Sequence, residues 1–121
     1  MQDAAVWALE QIVEKGDAGA IAAVSARLDH ADPSVRSAAL QALVRIIEKD
    51  DAGAMGALCA RLDDEAASVR LAAVEALAQI AEGHAGTVAA VSARLDDDDE
   101  LVRRTAATCL EQIAEKGGTV N

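Results

Sequence analysis

Three stretches of this chain repeat one another without a gap: Ala26-Arg-Leu-Asp-His-Ala-Asp-Pro-Ser-Val-Arg36, Ala60-Arg-Leu-Asp-Asp-Glu-Ala-Ala-Ser-Val-Arg70 and Ala93-Arg-Leu-Asp-Asp-Asp-Asp-Glu-Leu-Val-Arg103. The residues after each also match, ending at Ile46, Ile80 and Ile113, and a fourth copy, Ala4 to Ile12, lacks an upstream half. The four isoleucines recur at intervals of 34, 34 and 33 residues. The one-residue deficit falls where Glu48-Lys-Asp-Asp-Ala becomes Glu82-Gly-His-Ala, a turn, where deletions are tolerated. A unit of this length cannot bury an apolar face alone. It must stack on its neighbours, so the repeat implies a linear array with a shared core.

Each period reads as two helices. The first, helix A, spans about Asp17 to Leu28, Asp51 to Leu62 and Gly86 to Leu95, with Ile21, Val24 and Leu28 at helical spacing. The second, helix B, spans about Pro33 to Lys49, Ala67 to Glu82 and Glu100 to Lys116, and puts Val35, Ala39, Ala42, Leu43 and Ile46 on one stripe. Asp32-Pro33 is a cap followed by proline at the first helical position, and Asp17 and Asp51 can cap the A helices. Gly16, Gly83 and Gly117 follow B helices, where a left-handed residue is expected. The expected organisation is a half repeat at 1–16, helix pairs at 17–49, 50–82 and 83–117, and a tail at 118–121. That makes one all-α domain of about seven helices.

The period and the segment Leu62-Asp-Asp through Val69-Arg70, Ala73, Ala76-Leu77 and Ile80 resemble HEAT repeats, closest to the short subtype of phycobilin lyase-like proteins. The resemblance implies an α-solenoid, a right-handed superhelix of antiparallel helix pairs with the B helices on its concave face. It also implies a ladder in which an aspartate of the A–B turn meets the arginine of the Val-Arg pair between repeats. That ladder maps onto Asp64 and Asp97 with Arg36, Arg70 and Arg103. His30 replaces the aspartate in the first turn, so the ladder is incomplete there or Asp29 substitutes.

Composition agrees with helices packed through small residues. Phe and Tyr are absent, Trp7 is the one aromatic, and alanine with branched aliphatics supplies the apolar content. Sheets draw on aromatic and β-branched residues. The net charge of −10 repels phosphate backbones and anionic lipids, which makes nucleic acid and membrane poor partners. No apolar run approaches the ~20 residues of a membrane span. Met1-Gln2-Asp3 lacks the basic start of a signal peptide, and Cys59 and Cys109 fit no metal spacing, so a reducing, cytoplasmic setting is expected.

The chemistry-bearing residues point away from catalysis. His30 and His84 both sit in turns and each precedes alanine, so the repeated His-Glu pairs of a HEAT-like di-iron hydroxylase are missing. Ser25, Ser34, Ser37, Ser68 and Ser92 recur at repeat-equivalent positions or helix starts, which reads as structure. Asp96 to Glu100 is an acidic run without the alternating ligands and glycine of a calcium loop, and it favours the positive end of a helix. No enzyme activity, metal or cofactor is expected.

What remains is surface. Opposite the core stripe, the B helices carry residues that differ between repeats: Asp3/Ser37/Leu71/Arg104, Trp7/Gln41/Glu75/Thr108 and Gln11/Arg45/Gln79/Gln112. The expected function is a protein-interaction scaffold that binds a protein or peptide on these rows. The alternatives are a structural or engineered module without a dedicated ligand, and a phycobilin lyase-like accessory subunit. The identical Ala-Val-Ser-Ala-Arg-Leu-Asp at 23–29 and 90–96 suggests recent duplication or design, and a chain that opens in a B helix reads as a piece of a longer array. Trp7, among polar equivalents, and the uncapped end helices suggest self-association.

Overall fold

The computed structural model describes residues 17–48, 51–80 and 85–116. They form six α-helices with no strand among them: α1 (Ala18–Ala26), α2 (Pro33–Ile46), α3 (Ala52–Ala60), α4 (Ala67–Gln79), α5 (Ala85–Ala93) and α6 (Glu100–Lys116). They are paired α1–α2, α3–α4 and α5–α6. The half repeat at 1–16, including its expected helix, lies outside the described residues, as do Gly16, Gly83, His84 and Gly117.

The A helices α1 and α3 begin on aspartate caps. The Asp17 and Asp51 carboxylates accept from the amides of Ala20 and Ala54 at 2.9 and 3.0 Å. All three A helices stop earlier than their apolar spacing suggests. The last residues form a 3-10 turn, Arg27–Asp29, Arg61–Asp63 and Arg94–Asp96, after which the chain becomes extended at His30, Asp64 and Asp97. The tighter turn brings Leu28 and Leu62 inward while the chain reverses into helix B.

Helix α2 starts as the sequence indicates, with Asp32 accepting from the Ser34 amide and Pro33 in the first turn. It ends at Ile46, short of Lys49, because Ile47 leaves helical geometry and turns into the core, where it is 1% exposed. Helix α4 likewise ends at Gln79, short of Glu82, with Ile80 buried at its terminus. The stripe Val35, Ala39, Ala42, Leu43 and Ile46 is buried, and so are Val69, Ala73, Ala76 and Leu77 one repeat on. The alanines on these stripes let neighbouring B helices approach closely, and the stack is held chiefly by B-on-B packing. Cys109 takes an alanine position on the same stripe and is buried; Cys59 is half-buried.

The A helices present a different surface. Every exposed residue of α1, α3 and α5 is alanine or glycine, among them Ala22, Ala23, Gly53, Gly56, Ala89 and Ala93. No charged side chain stands anywhere on these three helices.

Two arginine latches of opposite direction close each junction between pairs. In the forward latch, Arg36 reaches Asp64 with Nε and Nη2, each 2.9 Å from a carboxylate oxygen, while its Nη1 donates to the His30 carbonyl at 2.7 Å. Arg70 does the same to Asp97 at 2.9 and 3.1 Å, with Nη1 on the Asp64 carbonyl at 2.8 Å and a further contact to Asp98. In the return latch, Arg61 and Arg94 of the later pair donate to the carbonyls of Leu28 and Leu62 of the earlier one, both at 3.1 Å. The fork of Arg103 meets no carboxylate among the described residues, although the resemblance counts it in the ladder. A ladder arginine reaches forward to the next turn, and α6 is the last described helix. The first turn also departs from the pattern. There the His30 Nδ1 accepts from the Asp32 amide at 3.0 Å, and Asp29 is exposed rather than substituting.

Burial by itself would raise the carboxyls of Asp64 and Asp97. The hydrogen bonds from Arg36 and Arg70, the amides of Ala66 and Asp99, and the nearby arginine charges outweigh it and hold both below the ordinary aspartate value. Their contribution to stability is therefore complete above the unfolded aspartate pKa of about 4, and it is lost as pH falls through the lower folded values. Urea unfolding of the protein and of Asp64→Asn should show a gap in midpoint that is constant from pH 7 to about 5 and narrows below about 4. A gap that stays constant down to pH 2 would contradict the assignment.

Candidate functional site

The B-helix rows lie on the solvent side of α2, α4 and α6. Gln41, Arg45, Glu75, Gln79, Arg104, Thr108 and Gln112 are exposed; Ser37 and Leu71 are half-buried. Trp7 and Gln11 lie outside the described residues. The stacking register places residues of adjacent helices side by side. The Ser37 hydroxyl donates to the Ser68 carbonyl across α2 and α4. One repeat later the equivalent positions hold Leu71 on α4 and Leu101 on α6.

Leu101 is 55% exposed, one of two large hydrophobics in the open among the described residues. It lies outside the three rows that helical spacing defines. The signal was present, because Leu101 occupies the place of Ser34 and Ser68 in the other repeats. It borders a cavity of about 620 Å³ between α4 and α6, whose walls include Glu75, Gln79, Arg104, Thr108 and Ile113. Ile113 is half-buried, whereas Ile46 and Ile80 are buried. The cavity thus offers an aliphatic end at Leu101, a hydrogen-bonding floor of amides and hydroxyls, and one charge of each sign. Among the described residues Arg104 is held only by an exposed contact with Glu100 at 3.8 Å, which leaves it available to another group. Burial, helped by the Glu75 charge, pushes the Cys109 thiol up, so it stays protonated and behaves as an apolar wall.

Several of the other candidates for chemistry among the described residues have structural tasks. The His30 Nδ1 accepts from the Asp32 amide. In the acidic run, Asp97 holds Arg70, Asp98 adds a contact to the same guanidinium, and Asp99 accepts from the amides of Leu101 and Val102 at the start of α6. Ser34 bonds Asp32, and Ser92 donates to the Val88 carbonyl within α5. Among the described residues no group of three or more histidine, cysteine or acidic side chains is placed to hold a metal ion. No helix among them is long and apolar enough to cross a membrane.

Comparison with known proteins agrees with this geometry. A family model of HEAT repeats matches residues 1–78 and again residues 55–119. No curated protein matches the chain.

Proposed function

The chain belongs to the HEAT-repeat family, and from that premise we propose that its concave B-helix face holds a segment of a partner protein. The observation that carries this reading is Leu101, exposed at the edge of the α4–α6 cavity and, by the repeat register, next to the row position Leu71. The nine described row positions carry Arg45, Arg104 and Glu75 as their only charges, against −10 for the whole chain. Such a face does not repel acidic or neutral protein segments as the turns do. It suits a helix or extended segment with one branched aliphatic anchor, flanked by groups that bond amides and hydroxyls.

A peptide-display library panned on the intact protein tests this. The selected peptides should share an aliphatic anchor, and Leu71→Glu with Leu101→Glu should weaken them at least about tenfold, the loss expected for a hot-spot contact. Ala23→Glu, on the exposed side of α1, should leave binding unchanged. Peptides indifferent to the leucine changes would place the binding surface elsewhere.

A further inference from the structure

Leu101 stands in the open because of its place on helix B. Ser34 and Ser68, its equivalents in the other two described pairs, are exposed as well. A leucine in place of serine therefore puts an aliphatic patch, beside Leu71, on a surface that is open in every pair. From this patch the groove between α4 and α6 runs along α6 as far as Gln112, about 16 Å of helix.

Charge along the groove is uneven. Arg104 contacts Glu100 at 3.8 Å, and the two are neutral as a unit. Glu75, one helical turn after Leu71, lines the groove and is exposed, and it has no hydrogen bond or ion pair among the described residues. Gln41 and Thr108 take its place in the other described pairs, so the charge is particular to this site. Burial, and then the Glu75 charge, push up the thiol of Cys109 in the opposite wall, so the carboxylate acts across the groove. At the turn end, Asp98 and Asp97 share the one guanidinium of Arg70. The uncompensated charge beside the aliphatic patch is negative, and it adds to the −10 of the whole chain.

We infer that this groove takes an amphipathic helix that sets an aliphatic side chain on the Leu71–Leu101 patch and a lysine or arginine, three or four residues along, against Glu75. The inference rests on the docking reading above and narrows its partner to a cationic helix. Four residues of helix span about 6 Å, the same rise that separates Leu71 from Glu75, so anchor and cation fall on one face of the guest at the required spacing. A helix is favoured over an extended segment because both walls are helices, whose backbone groups are bonded internally and offer no edge to a strand. An acidic guest is disfavoured, since it must displace Glu100 from Arg104 while facing Glu75.

The test selects random displayed peptides on the intact protein and synthesises the enriched ones. They should carry lysine or arginine three or four residues from the aliphatic anchor and gain helical circular dichroism on binding. Glu75→Gln, a change at an exposed position, should weaken them about fivefold, the size of one exposed ion pair. That loss should vanish for peptides whose cation is changed to glutamine. Added sodium chloride should weaken the parent complex more than the Glu75→Gln complex. Peptides that need the two leucines but ignore Glu75 would overturn the inference and leave the docking reading standing. An acid coupled to Arg104, or a cation two residues from the anchor, would overturn it in favour of an acidic or an extended guest. Peptides indifferent to Leu71→Glu with Leu101→Glu, or no enrichment at all, would remove the site and the inference with it.

Discussion

Replacing Asp64 with alanine is expected to destabilise the protein by about 3–5 kcal/mol, the range for removing one partner of a buried ion pair. The Asp64 and Arg36 side chains are 4% and 8% exposed, so the guanidinium left behind is neither solvated nor neutralised. Its two carbonyl contacts, to His30 and Ala31, persist and place the loss at the lower end of that range. A domain of this size has roughly 5–15 kcal/mol in total, so the variant should unfold at far lower urea than the parent. Replacing both partners, as in Arg36→Met with Asp64→Leu, should recover most of the loss, because the cost lies in the orphaned charge more than in the missing attraction. Double-mutant urea titrations check this, and additive losses for the two single changes would contradict it.

The second large effect concerns the stripe. Leu77→Ala should cost about 2–5 kcal/mol, since the side chain is fully buried between helices that cannot collapse onto the gap. Leu43→Ala should behave alike. Leu110→Ala, at the half-covered equivalent position, should cost clearly less, and Gln41→Ala or Gln79→Ala, both exposed, should be close to neutral. Chemical denaturation of the five variants would rank them. A Leu77 change no more harmful than Gln79→Ala would mean that the stripe is wrongly phased.

The parts of the fold legible in the sequence were those set by local chemistry or by repetition. Asp32-Pro33 marks a helix start because capping and a missing amide both act at that point, and the structure begins α2 there. Leu43 and Leu77 sit on a helical stripe that recurs, so their burial follows from the period. The 3-10 turns were not legible. Arg27-Leu28-Asp29 continues an α-helical pattern, and only the need to reverse direction into the next helix tightens it. Nor was the early end of α2, which depends on Ile47 finding space in the core.

At the site, the row positions could be read from spacing, but their exposure could not rank them. Leu101 lies one turn before the first row, and what sets it apart is its register position beside Leu71 on another helix, which spacing within one helix does not show. Leu95 shows the same limit from the other side. Its local sequence is the same as that around Leu28, yet their exposures differ tenfold because of what stands next to each.

The uncharged A helices carry a mechanical consequence. At nine residues, with glycine inside α1, α3 and α5, each is too short to persist apart from its partner B helix. They also touch one another far less than the B helices do. Bending the array therefore meets most resistance along the B helices, where α2, α4 and α6 are packed. The A helices are tied to one another chiefly at their ends, where Arg61 and Arg94 reach the preceding turns, and can pivot about those points at less cost. A change in the curvature of the array would be taken up by movement of the A helices, with the spacing of the B-helix rows kept.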